Sequence, residues 1–198
     1  MSVMILGGKA KGMNLAVPEG DYIRPTSVLL RRRVFDSFQD MSGKTFIDIC
    51  SGTGAMGLEA ASRGADYSFF IESDHKVISI LQKNLESYLK RVKNNKTAFF
   101  IKTSTFESWI EHFHTEYRKW DEEKQKNTIL FFDPPYEMRE LYILFTKKIL
   151  EGVTWFKGRS WIESDRQKGL TFSRWETYGD RVIKSFVQGT SYIVVIDS

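Results

Sequence analysis

The 198-residue chain predicts an α/β protein. Its centre is a doubly wound, mostly parallel sheet with an antiparallel C-terminal hairpin, preceded by a short N-terminal β-hairpin and a helix. Three observations predict this. From residue 45 onward short apolar runs alternate with helical patterns, as strand–helix–strand units require. A glycine-rich turn, CSGTGAMG (50–57), follows the first of these runs. The last two apolar stretches, 181–187 and 191–196, are joined around Gln188-Gly189, as neighbouring hairpin strands are.

Each element has a local reason. Residues 3–6 and 13–17 are apolar stretches around GGKAKG, which reads as a hairpin with a basic, glycine-rich turn. Pro18 to Pro25 reads as a loop. Thr26 or Ser27 can cap a helix running to about Asp40, with Leu30, Val34, Phe35 and Phe38 on one face and Gly43 beyond its end. Strands follow at 45–50, 67–72, 97–102, 128–133 and 159–164. Helices fall between them at 55–63, 74–92, 105–119 and 138–150; the second carries Val77, Ile80, Leu81, Leu85 and Leu89 in helical register. Residues 111–127 are polar and of mixed charge and read as a solvated helix end and loop. There is no internal repeat.

Composition narrows the function. A hydrophobic content of 41% and a charged content of 27% are those of an ordinary globular protein. No run approaches eighteen apolar residues, so no membrane span is expected, and the N-terminus lacks the apolar centre of a signal peptide. The single cysteine, Cys50, excludes an internal disulfide and fits a reducing cytoplasm. With three scattered histidines, two of them (His112 and His114) on different sides of a helix, no metal site is expected. The net charge of +4 is uneven: residues 1–34 hold six basic and two acidic residues, whereas the other 164 hold 23 of each sign. A basic N-terminal sixth suggests contact with a polyanion.

Two motifs carry chemistry. In IDICSGTGAMG, Gly52, Gly54 and Gly57 match G-x-G-x-x-G between a strand and a helix, and Glu72 ends the next strand twenty residues on. By spacing alone this is a dinucleotide fingerprint. Asp48 argues otherwise, because a carboxylate inside that strand would repel a pyrophosphate. S-adenosylmethionine has no phosphate and carries two cationic groups that a carboxylate attracts, so acid followed by glycine loop favours it, with Glu72 toward the ribose. The second motif is FFDPPYE (131–137). Pro134 and Pro135 cannot extend a sheet and leave backbone carbonyls outward; Asp133 adds acceptors and Tyr136 a flat ring. Such a turn suits a planar group that donates N–H, such as a nucleobase amine. If 128–133 lies beside 45–50, that amine faces a methyl donor.

The chain resembles the bacterial small-subunit rRNA guanine-N2 methyltransferase family over nearly its whole length. ILGGKAKGMNL, RPTS (24–27), the basic helix into VFDSF, IDICSGTGAMGLEAASRGA, FFIES, FFDPPYE and TYGD (177–180) carry the resemblance. It implies a Rossmann-like Class I methyltransferase sheet over 41–198 with an RNA-docking extension over 1–40. It also implies S-adenosyl-L-methionine as cofactor, and a guanine of 16S rRNA, free or in the small ribosomal subunit, as target. The cysteine and histidine usage leads to the expectation of a cytoplasmic protein without metal, and a monomer is expected because nothing in the sequence suggests otherwise. The residues expected in catalysis are Asp133, Pro134, Pro135 and Tyr136. Those expected at the cofactor are Asp48, Ser51, Gly52, Gly54, Glu72, Ser73, Ser104 and Thr26. Lys9, Lys11, Arg24 and Arg31 are expected on RNA. The chain departs from the family at Val28, where an acid is usual, at Arg31-Arg32, which replaces an arginine–glutamate pair, and at Ser104, which stands where an aspartate faces the adenine. Two other readings stay open: a DNA or RNA adenine-N6 methyltransferase, whose target amine the same turn would hold, and a non-catalytic rRNA-binding assembly protein of the same fold.

Overall fold

A computed structural model of the chain describes residues 3–18, 27–151 and 155–198. Two strands, β1 (Val3–Met4) and β2 (Asn14–Leu15), form the N-terminal antiparallel hairpin, Val3 opposite Leu15. Helix α1 (Val28–Ser37) follows. Next come β3 (Thr45–Ile49), α2 (Ala55–Ser62), β4 (Tyr67–Glu72), α3 (His75–Arg91) and β5 (Ala98–Thr103). After these lie α4 (Phe106–Tyr117), α5 (Glu122–Lys126), β6 (Thr128–Phe132), α6 (Arg139–Phe145) and β7 (Arg159–Asp165). A one-turn helix α7 (Ser173–Glu176) precedes β8 (Val182–Gln188) and β9 (Ser191–Asp197).

The seven long strands lie in the order β5-β4-β3-β6-β7-β9-β8. The first five are parallel, and β9 runs antiparallel to both of its neighbours. Both faces are covered, which is why β3 and β6 are buried at every position. On one face Ile47, Ile49, Leu130 and Phe132 meet α4 and α6 through Phe106, Phe113 and Phe145. On the other, Phe46, Phe131 and Trp161 meet α1, with Phe35 edge-on to Trp161 at 5.4 Å. The hairpin is part of this second layer: Val3, Ile5 and Leu15 share a cluster with Leu58 of α2 and Leu81 and Tyr88 of α3. Asn84 ties the hairpin's exit to the glycine turn, its amide Nδ2 donating to the carbonyls of Ala16 and Thr53, both at 3.0 Å, while its Oδ1 accepts the Ala16 N–H at 2.7 Å.

Several local expectations change. Helix α1 stops at Ser37, and the Ser27 hydroxyl does not cap it but donates to the Gln188 side chain. The segment read as polar loop holds α5, capped by Asp121, and its Gln125 is buried, donating to the carbonyls of Tyr117 and Trp120 at 3.1 and 2.8 Å. The helix after the DPPY turn widens into a π-helical turn over Thr146–Leu150, closed by the Glu151 N–H on the Thr146 carbonyl at 2.9 Å. Among the described residues no helix is long and apolar enough to cross a membrane.

Candidate active site

The winding of the sheet reverses between β3 and β6, and in such sheets ligands bind at the carboxyl ends of the strands beside that reversal. A cleft of about 610 Å³ opens there, within the range of about 300–1,000 Å³ usual for small-molecule sites. Asp48, Glu72 and Asp133 come together in its wall, from the ends of β3, β4 and β6. Ser51, Gly52, Ser73, Ser104, Pro134, Pro135 and Tyr136 line it as well.

The glycine turn owes its shape to two of the acids. Gly54 is the N-cap of α2, at φ 82, and brings no side chain to satisfy the first N–H groups of the helix. Asp48 supplies the missing acceptor from the neighbouring strand: its Oδ2 takes the Gly57 N–H at 2.8 Å. Glu72 does the same for the turn, accepting the Gly52 N–H at 2.9 Å through Oε2 and the N–H groups of Ser73 and Asp74 at 2.8 and 3.0 Å through Oε1. Gly57 itself lets α2 lie against β4, since a Cβ there would sit 2.3 Å from the Phe70 ring.

The cleft is electronegative. Burial pushes the Asp48 carboxyl well above its ordinary range; the Gly57 N–H opposes this, and the nearby charges of Asp133 and Glu72 add to it. Burial and the same acids push the Cys50 thiol up, so Cys50, half-buried at φ 59, is not an activated nucleophile. Ser51 Oγ is buried on the cleft wall without a hydrogen-bond partner among the described residues. A site with this donor set fits a cationic ligand and rejects a phosphate. S-adenosylmethionine meets that requirement with its sulfonium and ammonium, and its polar groups can engage Ser51. Ser104 lines the cleft with its hydroxyl donating to the Thr105 carbonyl at 3.0 Å.

The DPPY turn is braced from β7 by a residue that sequence reasoning missed. Glu163 is buried; its Oε1 accepts the Tyr136 hydroxyl at 3.0 Å, and its carbonyl accepts the Tyr142 hydroxyl at 3.0 Å. That same Tyr142 hydroxyl lies 3.5 Å from the Pro134 carbonyl. A glutamate inside the apolar run RSWIES was the available signal, because a lone acid in a buried strand needs a partner. Tyr136 therefore lies mostly buried with its hydroxyl held, and it lines the cleft.

Of the residues expected on RNA, Lys9, Lys11 and Arg31 do not line this cleft. Arg24 and the cofactor candidate Thr26 lie outside the described residues. Arg31 is a correction: it is fully buried, its Nη2 donating to the Met4 carbonyl at 2.6 Å, so its guanidinium is not presented to a phosphate. The cause is helical spacing, since Arg31 lies one turn before the core residue Phe35. Burial lowers its pKa against the opposing charges of Glu59 and Glu163. Lys9 and Lys11 are exposed, but on the hairpin tip, where the Lys9 N–H donates to the Ser62 carbonyl at 2.8 Å, at the far end of α2 from the glycine turn.

The strand order with its inserted antiparallel β9, the glycine turn, and an acidic cleft beside an amine-accepting turn define a Class I, S-adenosylmethionine-dependent methyltransferase. Within that class, the chain belongs to the family described as "Conserved hypothetical protein 95", whose profile matches residues 3–187. It is 27% identical over 189 residues to "Ribosomal RNA small subunit methyltransferase D" of Escherichia coli strain K12, covering 91% of this chain and 84% of that one. Among solved structures, a hypothetical protein of Thermus thermophilus superposes with a TM-score of 0.73 at 24% identity, over 99% of both chains. An RNA methyltransferase of Salinibacter ruber in complex with S-adenosyl-L-homocysteine superposes with a TM-score of 0.52 at 12% identity, over 88% of this chain and 93% of that one.

Proposed function

We propose that this protein transfers the methyl group of S-adenosylmethionine to the exocyclic N2 amine of a guanine in 16S rRNA, acting in the cytoplasm as a single chain without a metal. The observation that carries the reading is the amine-accepting DPPY turn beside a cleft walled by carboxylates. The small-subunit rRNA target is supported by membership of a family whose relative in Escherichia coli bears that name, and the cofactor by the bound product in the Salinibacter ruber structure.

The cofactor supplies a methyl group already activated on a sulfonium; the chain supplies position and charge. An aromatic amine is a weak nucleophile because its lone pair is delocalised into the ring. Asp133 and the Pro134 carbonyl accept its two hydrogens, which favours a pyramidal nitrogen with its lone pair localised toward the methyl carbon and stabilises the positive charge that grows on nitrogen. Pro135 keeps the turn extended, and the Tyr136 ring stacks on the base, a contact worth roughly 1–3 kcal/mol per base in single-strand binders. The guanine reaches the turn unpaired or flipped from its helix. Asp48, Glu72, Ser51, Ser73 and Ser104 hold the cofactor, with Gly52 and Gly54 allowing close backbone approach. Thr26 and Arg24 remain candidates from the N-terminal segment, and Lys9 and Lys11 dock RNA remote from the reacting base.

The test is label transfer from tritiated S-adenosylmethionine to small subunits lacking native guanine-N2 methylation, followed by nucleoside analysis. Label in N2-methylguanosine, lost in Asp133→Ala while cofactor affinity is retained, is the expected outcome. Label in N6-methyladenosine would replace the substrate. A folded protein that transfers nothing to subunits, naked 16S rRNA or DNA would leave only the rRNA-binding reading.

A further inference from the structure

The cleft is walled by acids, yet Lys168 is the one lysine or arginine among the described residues that line it. It stands on the turn that follows β7, and that turn is held rigidly. The buried Asp165 accepts the backbone N–H groups of Gln167 and Lys168 through Oδ1 at 2.9 and 3.1 Å, and the hydroxyls of Thr190 and Ser191 through Oδ2 at 2.6 and 3.2 Å. The Arg166 N–H donates to the Thr190 carbonyl, and the Gly169 N–H to the Asp165 carbonyl, both at 2.9 Å. The Leu170 N–H donates to Ser164 Oγ at 3.0 Å. Every backbone donor from 166 to 170 is committed inside the protein, while the side chains of Arg166, Gln167 and Lys168 are exposed. A turn built this way presents side chains, and two of the three are cationic. Stability does not account for Lys168: its acidic neighbour, Glu137, is 4.0 Å away with both side chains more than half exposed, and such pairs contribute little.

We propose that Lys168, with Arg166 and Gln167 beside it, binds the phosphate backbone of the RNA strand next to the target guanine. The inference rests on the rRNA methyltransferase reading. A guanine whose amine reaches Asp133 carries its ribose and flanking phosphates to the mouth of the cleft, where Asp133, Glu137 and Glu107 would repel them. A strand crossing that mouth needs a cation there. The hairpin does not provide it, because Lys9 is anchored beyond the length of α2, about 12 Å for eight residues. Among the described residues, the hairpin lysines and the cation at the reacting base therefore occupy different edges of the molecule.

The experiment is steady-state methylation of unmethylated small subunits at several KCl concentrations by wild type, Lys168→Ala, Lys168→Glu and Arg166→Glu, with cofactor affinity by calorimetry. Wild type is scored first: without N2-methylguanosine from it, the methyltransferase reading fails and not the contact. Lys168→Glu is expected to raise KM for subunits about ten-fold or more, and Lys168→Ala to raise it less while reducing the salt slope by about one. In both, kcat at saturating subunits and cofactor affinity stay within about two-fold. Unchanged KM and salt slope in well-folded Lys168 variants would overturn the proposal. So would a fall in cofactor affinity matching the rise in KM, or an equal rise in KM in Glu137→Gln, which would assign the effect to the lost ion pair.

Discussion

An Asp48→Asn variant keeps the size of the side chain and one acceptor oxygen while deleting its charge. In the native protein Asp48 Oδ2 accepts the Gly57 N–H in the first turn of α2, at 2.8 Å. An asparagine carbonyl oxygen can accept the same bond, so the lost capping is at most about 1 kcal/mol. The cost of burying a carboxylate disappears at the same time, and stability should change by no more than about 1 kcal/mol in either direction. Cofactor binding should suffer more. A hydrogen bond or close contact between charged partners is worth roughly 1.5–3 kcal/mol, a loss of about 10- to 100-fold in affinity. Titration calorimetry with S-adenosylmethionine and S-adenosylhomocysteine, beside thermal melting, separates the two effects. The pH dependence gives an independent check. Because the Asp48 carboxyl is held well above its ordinary value of 3.8, the empty folded protein keeps its proton where the unfolded chain has lost it. Its stability therefore falls as pH rises across that window. A cation binds the ionised form, so cofactor affinity rises with pH over the same window in wild type and stays flat in Asp48→Asn. A variant that binds within two-fold of wild type and keeps the pH slope would refute the electrostatic role and leave Asp48 as a helix cap only.

Three further changes have expected outcomes. Gly57→Ala places a Cβ 2.3 Å from the Phe70 ring and 2.9 Å from Ser68 Oγ; overpacking should cost about 1–3 kcal/mol, and an unaltered melting temperature would show that β4 and α2 separate freely. Tyr136→Phe removes the hydroxyl that Glu163 accepts at 3.0 Å. Denaturant unfolding should show a loss of about 1–3 kcal/mol while single-turnover transfer stays within a few-fold, whereas loss of transfer at full stability would give the hydroxyl a direct part in the reaction. Asn84→Ala breaks three hydrogen bonds linking Ala16 to Thr53 and should weaken cofactor binding together with stability; intact affinity would mean that the glycine turn holds its shape unaided.

The centre of the sheet was legible because β3, β6, β7 and β9 are short apolar runs buried on both faces, and those runs need no knowledge of their partners. The glycine turn and the DPPY turn were legible because proline and glycine restrict the backbone wherever they stand. Arg31 was misread because periodicity assigns a face to a helix without saying what covers it; here β1 lies against that face and buries the guanidinium. Glu163 was passed over because its strand reads as core, and its role exists only once β7 pairs with β6 and brings it to Tyr136. Helix α5 was hidden by its composition: EEKQK is polar all round, and only its packing, with Lys124 over the rings of Tyr67 and Trp120 at 3.9 and 4.3 Å, makes it an element. The position of Lys9 at the amino end of the sheet could not be read from charge counts, because they contain no direction.

Cys50 is the single cysteine of the chain, and it stands on the cleft wall where β3 gives way to the glycine turn. A thiol reagent therefore has one address on this protein. Burial and the surrounding acids keep the sulfur protonated and slow its reaction. A bound nucleoside would shield the thiol, and the rate of labelling would then count occupied molecules directly, with no ribosome, radioactivity or turnover in the tube.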